Sequence, residues 1–224
     1  MDILYKIPSW FSGYDSLFQI LFAIIALFVA GYAYKIYKVS KRPEIKLFSI
    51  AFLLISLSYI AWPLITLLAS FPIGKETLAV MIETSNLAGT LAIFFHISFF
   101  LMGLLTLVYM NLKDKNRRTY ILLSVLIFLI AVIGIDKTHI IYLTSSILIF
   151  FILYHHLKEY RQKGNKKMLP VTLAFLFLFL GSLDLIFADT QHIYYVGGHI
   201  FMLIAYILIL GRLIYIIKNV PKKR

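Results

Sequence analysis

Apolar residues fill seven long stretches of this chain, each bounded by charged residues or by breaks containing Gly or Pro. The stretches lie at 15–35, 47–69, 88–112, 119–135, 139–157, 168–188 and 196–217. A hydrocarbon core of ~30 Å needs about 20 apolar helical residues to cross it, so each stretch reads as a transmembrane helix. Residues 71–87 (FPIGKETLAVMIETSNL) are too polar for a crossing and are expected to form a loop plus a short surface helix. The fold class is therefore all-α, a single seven-helix membrane domain over 1–224.

Composition narrows the class further. At 61% hydrophobic the chain lies far above the ~45–50% of soluble domains, which excludes a soluble globular enzyme and a disordered chain. Zero cysteines exclude a disulfide framework, a thiolate metal site and a cysteine nucleophile. The segment Met1 to Tyr14 has no basic n-region and no Ala-x-Ala site, so the first span is expected to serve as the targeting segment.

A net charge of +12 would suggest nucleic acid in a soluble protein, but here it reports topology, and no nucleic-acid partner is expected. Of the 22 lysines and arginines, all but Lys6, Lys75 and Lys137 fall on one side of the spans. Basic loops stay in the cytoplasm, which places the N-terminus outside and the C-terminus inside a multi-pass cell-membrane protein. The same loops and tail suit anionic lipid headgroups. Acidic residues collect on the other side, Asp15, Glu76, Glu83 and Asp184 among them, as a cation-attracting mouth or a solvated surface.

The chain also matches itself. The gap-free shift that carries Lys35 onto Lys158 carries Phe28 onto Phe151, Tyr37 onto Tyr160 and Ala51-Phe52-Leu53 onto Ala174-Phe175-Leu176. Span three pairs with span seven after a gap that absorbs the longer 71–87 segment, and His96-Ile97 then falls on His199-Ile200. The expected plan is three plus one plus three: 15–112, a linker helix at 119–135, and 139–217.

In topology this plan resembles the microbial rhodopsins, but the last span has no lysine before Lys218, which excludes a mid-membrane retinal Schiff base. It is also similar in plan to the SWEET sugar transporters, without their Pro-Gln pair. A looser likeness to the multi-helix sensor modules of prokaryotic histidine kinases rests on composition. None of these resemblances covers a motif, so no functional residue carries over.

The strongly polar groups inside the spans share one depth. Gln19, Trp62, His96, Asp184 and His199 each lie 16 to 19 residues from the nearest inner basic anchor, about 24–29 Å at ~1.5 Å per residue. That level is the outer third of the core. In span two Ser56, Tyr59, Pro63, Thr66 and Ser70 share a helical face; in span seven Tyr195, His199, Met202 and Tyr206 do. Gly89 and Gly103 flank His96 at seven-residue spacing. A hydrated outward pocket explains such stripes, and so do hydroxyls and small residues acting as glue between transmembrane helices, the reading preferred for the Ser/Thr stripe and the glycines.

His96, His199 and Asp184 would form a borderline ligand set for a divalent metal, the two histidines could clamp a b-type haem with glycines giving room for the porphyrin, and an Asp/His chain could relay protons. His155 and His156 at the inner end of span five, and His139 and His192 near the outer loops, read as interfacial. No phosphate loop, His-Glu-x-x-His or Gly-x-Ser-x-Gly motif is present, and the chain is not read as an enzyme. The reading adopted is transport: an outward pocket of His96, Asp184, His199, Gln19, Trp62, Tyr59 and Tyr206 that binds a small solute, cation or proton. The alternatives are a retinal-free receptor or sensor, acting through a separate signalling partner or a second copy of the chain, and a haem or metal redox protein using His96 and His199.

Overall fold

The structure is a computed structural model that describes residues 12–70, 78–112, 116–133, 137–164, 166–188 and 190–219. These residues form seven α-helices: α1 (Ser12–Ser40), α2 (Pro43–Ser70), α3 (Leu78–Leu112), α4 (Arg117–Ile133), α5 (Lys137–Lys163), α6 (Leu169–Ile186) and α7 (His192–Lys218). A 3-10 turn at Lys166–Met168 precedes α6. Six of the helices are long and apolar enough to cross a membrane. The seventh expected crossing falls on α4, whose 17 residues cover only about 25 Å. This is the architecture of a multi-pass helical membrane protein.

Local chemistry explains the helix ends. Pro43 opens α2 and Pro170 sits in the first turn of α6, where a missing N–H costs nothing. α1 closes at Lys41, which adopts φ 55° and donates its N–H to the Tyr37 carbonyl at 2.8 Å. α5 closes at Gly164, which adopts φ 57° and donates to the Tyr160 carbonyl at 2.9 Å.

One expectation is corrected here. Residues 78–87 do not form a separate surface helix; they are the first turns of α3, which runs unbroken for 35 residues. No proline or glycine occurs between Leu78 and Ala88, and a backbone ladder tolerates polar side chains, so the helix continues past the apolar boundary. Residues 71–77 lie outside the described residues.

The helices pack as a closed ring in the order α1, α2, α3, α5, α6, α7, with α1 against α7 completing it. α4 stands outside the ring against α3 and α5. It runs antiparallel to α3: the Tyr120 hydroxyl lies 3.0 Å from Thr106 Oγ1, and Phe128 meets the Phe94 ring at 5.7 Å. The centre of the ring is filled by Phe22, Phe52, Leu101, Leu104, Phe175 and Tyr206. The outer faces expose Leu27, Phe28, Ile121, Leu122, Phe150 and Ile207, an apolar coat suited to lipid. Exposed Lys38, Arg42, Arg118, Lys158, Lys167 and Lys218 gather at one end of the bundle, here termed the basic end.

Because core and coat are both apolar, burial from water gives little help in holding helix to helix. Polar contacts and close approach do that work. Ser49 Oγ donates to the Ala30 carbonyl and Ser56 Oγ to the Ala23 carbonyl, both at 2.8 Å, tying α2 to α1 at two levels. Ser146 Oγ donates to Ser182 Oγ at 2.8 Å between α5 and α6. Gly103 lets α3 approach α2 so closely that an added Cβ would lie 2.6 Å from Ile55 Cγ1 and 2.9 Å from the Ala51 carbonyl oxygen. Gly198 and Gly181 give α7 and α6 the same intimacy, each placing its carbonyl oxygen at 2.9–3.0 Å from where the other's Cβ would be.

Candidate functional site

Tyr59 of α2 is the hub of an aromatic cluster in the half of the bundle remote from the basic end. Its ring meets Phe22 at 5.3 Å, His96 at 5.5 Å, Phe100 at 5.8 Å and Tyr206 at 6.2 Å. The Tyr206 hydroxyl donates to the Tyr59 hydroxyl at 3.5 Å, and Tyr59 in turn donates to Met202 Sδ at 3.9 Å. Four helices thus supply one buried network. His199 joins it from α7, stacked on Phe22 at 6.1 Å and packed against Tyr195 at 4.6 Å.

Both histidines are oriented by backbone carbonyls. His96 Nδ1 lies 2.9 Å from the Ser58 carbonyl of α2, and His199 Nδ1 lies 2.8 Å from the Tyr195 carbonyl on its own helix. A carbonyl oxygen only accepts, so in each ring Nδ1 is the donor of this contact. A histidine ligand bound through Nε2 is oriented in this way.

The geometry nevertheless separates the expected trio. Asp184 Oδ2 lies 3.0 Å from where a Gly197 Cβ would be, on the seam between α6 and α7. His199 is two residues further along α7, about 200° around the helix, and faces α1 instead. Among the described residues no group of three or more His, Cys, Asp or Glu side chains could hold a metal ion, so His96, His199 and Asp184 do not make a three-ligand centre.

Of the two glycines flanking His96, Gly89 meets nothing within 4 Å, but Gly103 makes no room for a porphyrin. Gly103 is spent on the contact with α2, and the Tyr59 and Phe22 rings link one imidazole to the other where a haem clamped by both would lie. Gln19 is half-buried on α1, and the side chain of Trp62 lies outside the described residues. Ser56 serves the α1–α2 hydrogen bond, not the cluster.

A groove of about 270 Å³ opens on the outer face of α1 and α2, walled by Ile20, Ile24, Leu27, Ile60, Pro63 and Leu64, with Tyr59 among its lining residues. Its lining is apolar and faces the lipid side, so it is a lateral indentation beside the cluster, not the polar pocket.

The sequence pattern missed one residue. His156 of α5, expected at the interface, has both ring nitrogens buried with no hydrogen-bond partner among the described residues. Its ring stacks on Phe175 of α6 at 5.1 Å and 12°. Burying an unsatisfied donor or acceptor costs ~1–3 kcal/mol, so this imidazole burdens the fold. Comparison with protein-family models, with curated proteins and with solved structures finds no match to this chain.

Proposed function

We propose that the chain is a transport-type membrane protein with seven crossings. On this reading two three-helix repeats, α1–α3 and α5–α7, are joined by α4, and the binding site lies where the repeats meet. The observation that carries the reading is the correspondence of two helix pairs. The shift that carries Lys35 onto Lys158 also carries Lys41 onto Gly164, the two left-handed positions that cap α1 and α5. Under the same shift, buried Ala23, Ala26, Val29 and Ala30 fall on buried Ser146, Ile149, Ile152 and Leu153. Buried Ser49, Phe52, Ile55 and Tyr59 fall on buried Thr172, Phe175, Leu178 and Ser182. Exposed Ile24 and Leu27 fall on exposed Ile147 and Phe150.

Helix neighbours follow the same exchange: α1–α2, α2–α3 and α3–α5 become α5–α6, α6–α7 and α7–α1. Repeats of this kind are a common construction in secondary transporters, where one half rocks against the other around a site at their junction. The aromatic cluster is such a junction. Tyr59 and His96 come from the first half, Tyr206 and His199 from the second. The basic end supplies the orientation, cytoplasmic by the positive-inside rule. Asp184 and Gln19 flank the approach from the outer side, where a carboxylate favours a cation or proton.

The test is flux in proteoliposomes, read with an internal pH dye and with a monovalent-cation dye under an imposed membrane potential. Flux above protein-free vesicles, reduced at least tenfold by Tyr59→Leu at equal protein content, is the expected result. No flux of either ion, together with no uptake of a panel of small neutral solutes, rejects transport.

A further inference from the structure

We propose that His156 is a proton-binding site in the basic half of the bundle, an inner counterpart to the outer His96–His199 cluster. This rests on the repeat and transport reading above. Both His156 ring nitrogens are buried without a hydrogen-bond partner among the described residues. An imidazole in that state offers a donor and an acceptor to nothing, although its basic nitrogen has the electron pair that takes a proton. Intramembrane ionisable residues are costly and mark ion or proton paths more often than they mark packing.

The molecule carries its own control. The position of α1 that corresponds to His156 is Ala33, wholly buried, while the ring partner Phe175 corresponds to Phe52. One half of the fold therefore closes over a methyl group at this place. Packing does not require an imidazole there, and an apolar side chain would spare the unsatisfied nitrogens.

The surroundings give the proton a route and limit its competitors. His155, half-buried, has its ring 6.5 Å away, and Glu159 lies one turn nearer the basic end. Both lie on α5 within one turn of His156, with exposed Lys158 between them and Tyr160 one turn on. From α6 the contact is the Phe175 ring. At this end of α3 and α4 the titratable described side chains are Tyr109 and Tyr120, which pack on each other, and exposed Arg117 and Arg118. Exposed Lys167 follows from the turn before α6. The proton arrives from the basic end along the α5–α6 seam, with Glu159 and His155 at the entrance. Protonation converts a neutral ring into an imidazolium, which a stacked phenyl face tolerates better than an aliphatic wall does.

The experiment follows histidine nitrogen resonances of the ¹⁵N-labelled full chain in lipid nanodiscs, from neutral pH down to the pH at which the fold is lost. Thermal melts of the wild type, His156→Leu and His156→Gln are run alongside. A resonance absent from His156→Leu should move reversibly with pH while the protein stays folded. His156→Leu should melt at or above the wild-type temperature at neutral pH, and should lose less stability than the wild type on acidification. A His156 resonance that never moves in the folded protein overturns the inference. So does a neutral-pH melting temperature lowered in both variants by as much as a core truncation lowers it. Absent flux with a titrating His156 would sink the transport reading alone, whereas active flux with a silent His156 would sink the proton site alone.

Discussion

Lys41 and Gly164 hold the same left-handed backbone, φ 55° and 57°, and each donates its N–H to the carbonyl of a tyrosine four residues back. A lysine pays a steric penalty of ~1–2 kcal/mol there that glycine avoids. Lys41→Gly also adds ~0.5–1 kcal/mol of unfolded-chain entropy to overcome, so the net gain should be about 0.5–1 kcal/mol. Gly164→Ala should lose about 1 kcal/mol. Thermal melts in detergent read both; a destabilising Lys41→Gly would mean that the lysine side chain itself secures the turn.

Glycines of opposite function should respond oppositely to one methyl group. Gly103→Ala and Gly198→Ala push a Cβ to 3.0 Å or less from a neighbouring helix's backbone oxygen and should each cost about 1–3 kcal/mol. Gly31→Ala and Gly211→Ala meet nothing within 4 Å and should stabilise by about 0.5–1 kcal/mol through helix propensity. Equal effects at all four sites would contradict the close packing of α2 on α3 and of α6 on α7.

The two serine bridges between α1 and α2 should be worth little singly and should add. Ser49→Ala and Ser56→Ala each remove one interhelical bond, ~0.6 kcal/mol on average in membrane proteins. They stand two turns apart and share no partner, so the double variant should equal the sum within ~0.5 kcal/mol. Unfolding in mixed micelles tests this, and a strongly cooperative loss would show that the bridges lock one another.

His96 and His199 should be coupled through Tyr59 and Phe22. The double variant His96→Ala/His199→Ala should depart from the summed single effects by ~0.5 kcal/mol or more. In a Tyr59→Leu background that departure should vanish, because the ring path is cut. Additivity in the parent background would make them independent structural residues.

Much of this architecture was legible because a hydrocarbon core imposes a crude rule that long apolar runs obey. The same rule hides helix rotation. With apolar lipid outside and apolar core inside, nothing in the pattern around His156 says that it points inward, and its place near the end of α5 suggested the interface. Gly103 bears out the reading of the glycines as close-packing residues between helices; a glycine two turns from a histidine also suits a planar ligand, and the position of α2 decides between the two. The proposed repeat rests in the sequence on matched residues alone; the paired left-handed caps at Lys41 and Gly164 that support it are not legible there, since a lysine carries no sequence signal of a left-handed cap. Residues 78–87 differ for another reason: polar side chains end an apolar run without breaking a helix, and no Gly or Pro interrupts the backbone ladder there.

Orientation is open to direct chemistry. Gln191 and Gly164 are both exposed, in the connections at opposite ends of α6. A membrane-impermeant thiol reagent applied to intact cells should label Gln191→Cys and spare Gly164→Cys until the cells are opened. The reverse pattern would turn the molecule over and move the Asp184 approach to the cytoplasm.

Helix α4 touches the ring from outside, so the covalent link between the halves takes no part in closing the circle. Closure comes from α3 against α5 and α7 against α1, contacts that a broken chain could still make. Connectivity and assembly are thus separable in this molecule. A polypeptide ending after α3 and another beginning at α5 carry between them every surface that the ring needs, as two arcs meeting at two seams. On the proposed repeat, the connector's job is one of parity: if α4 crosses the bilayer, the second triplet enters it facing the same way as the first.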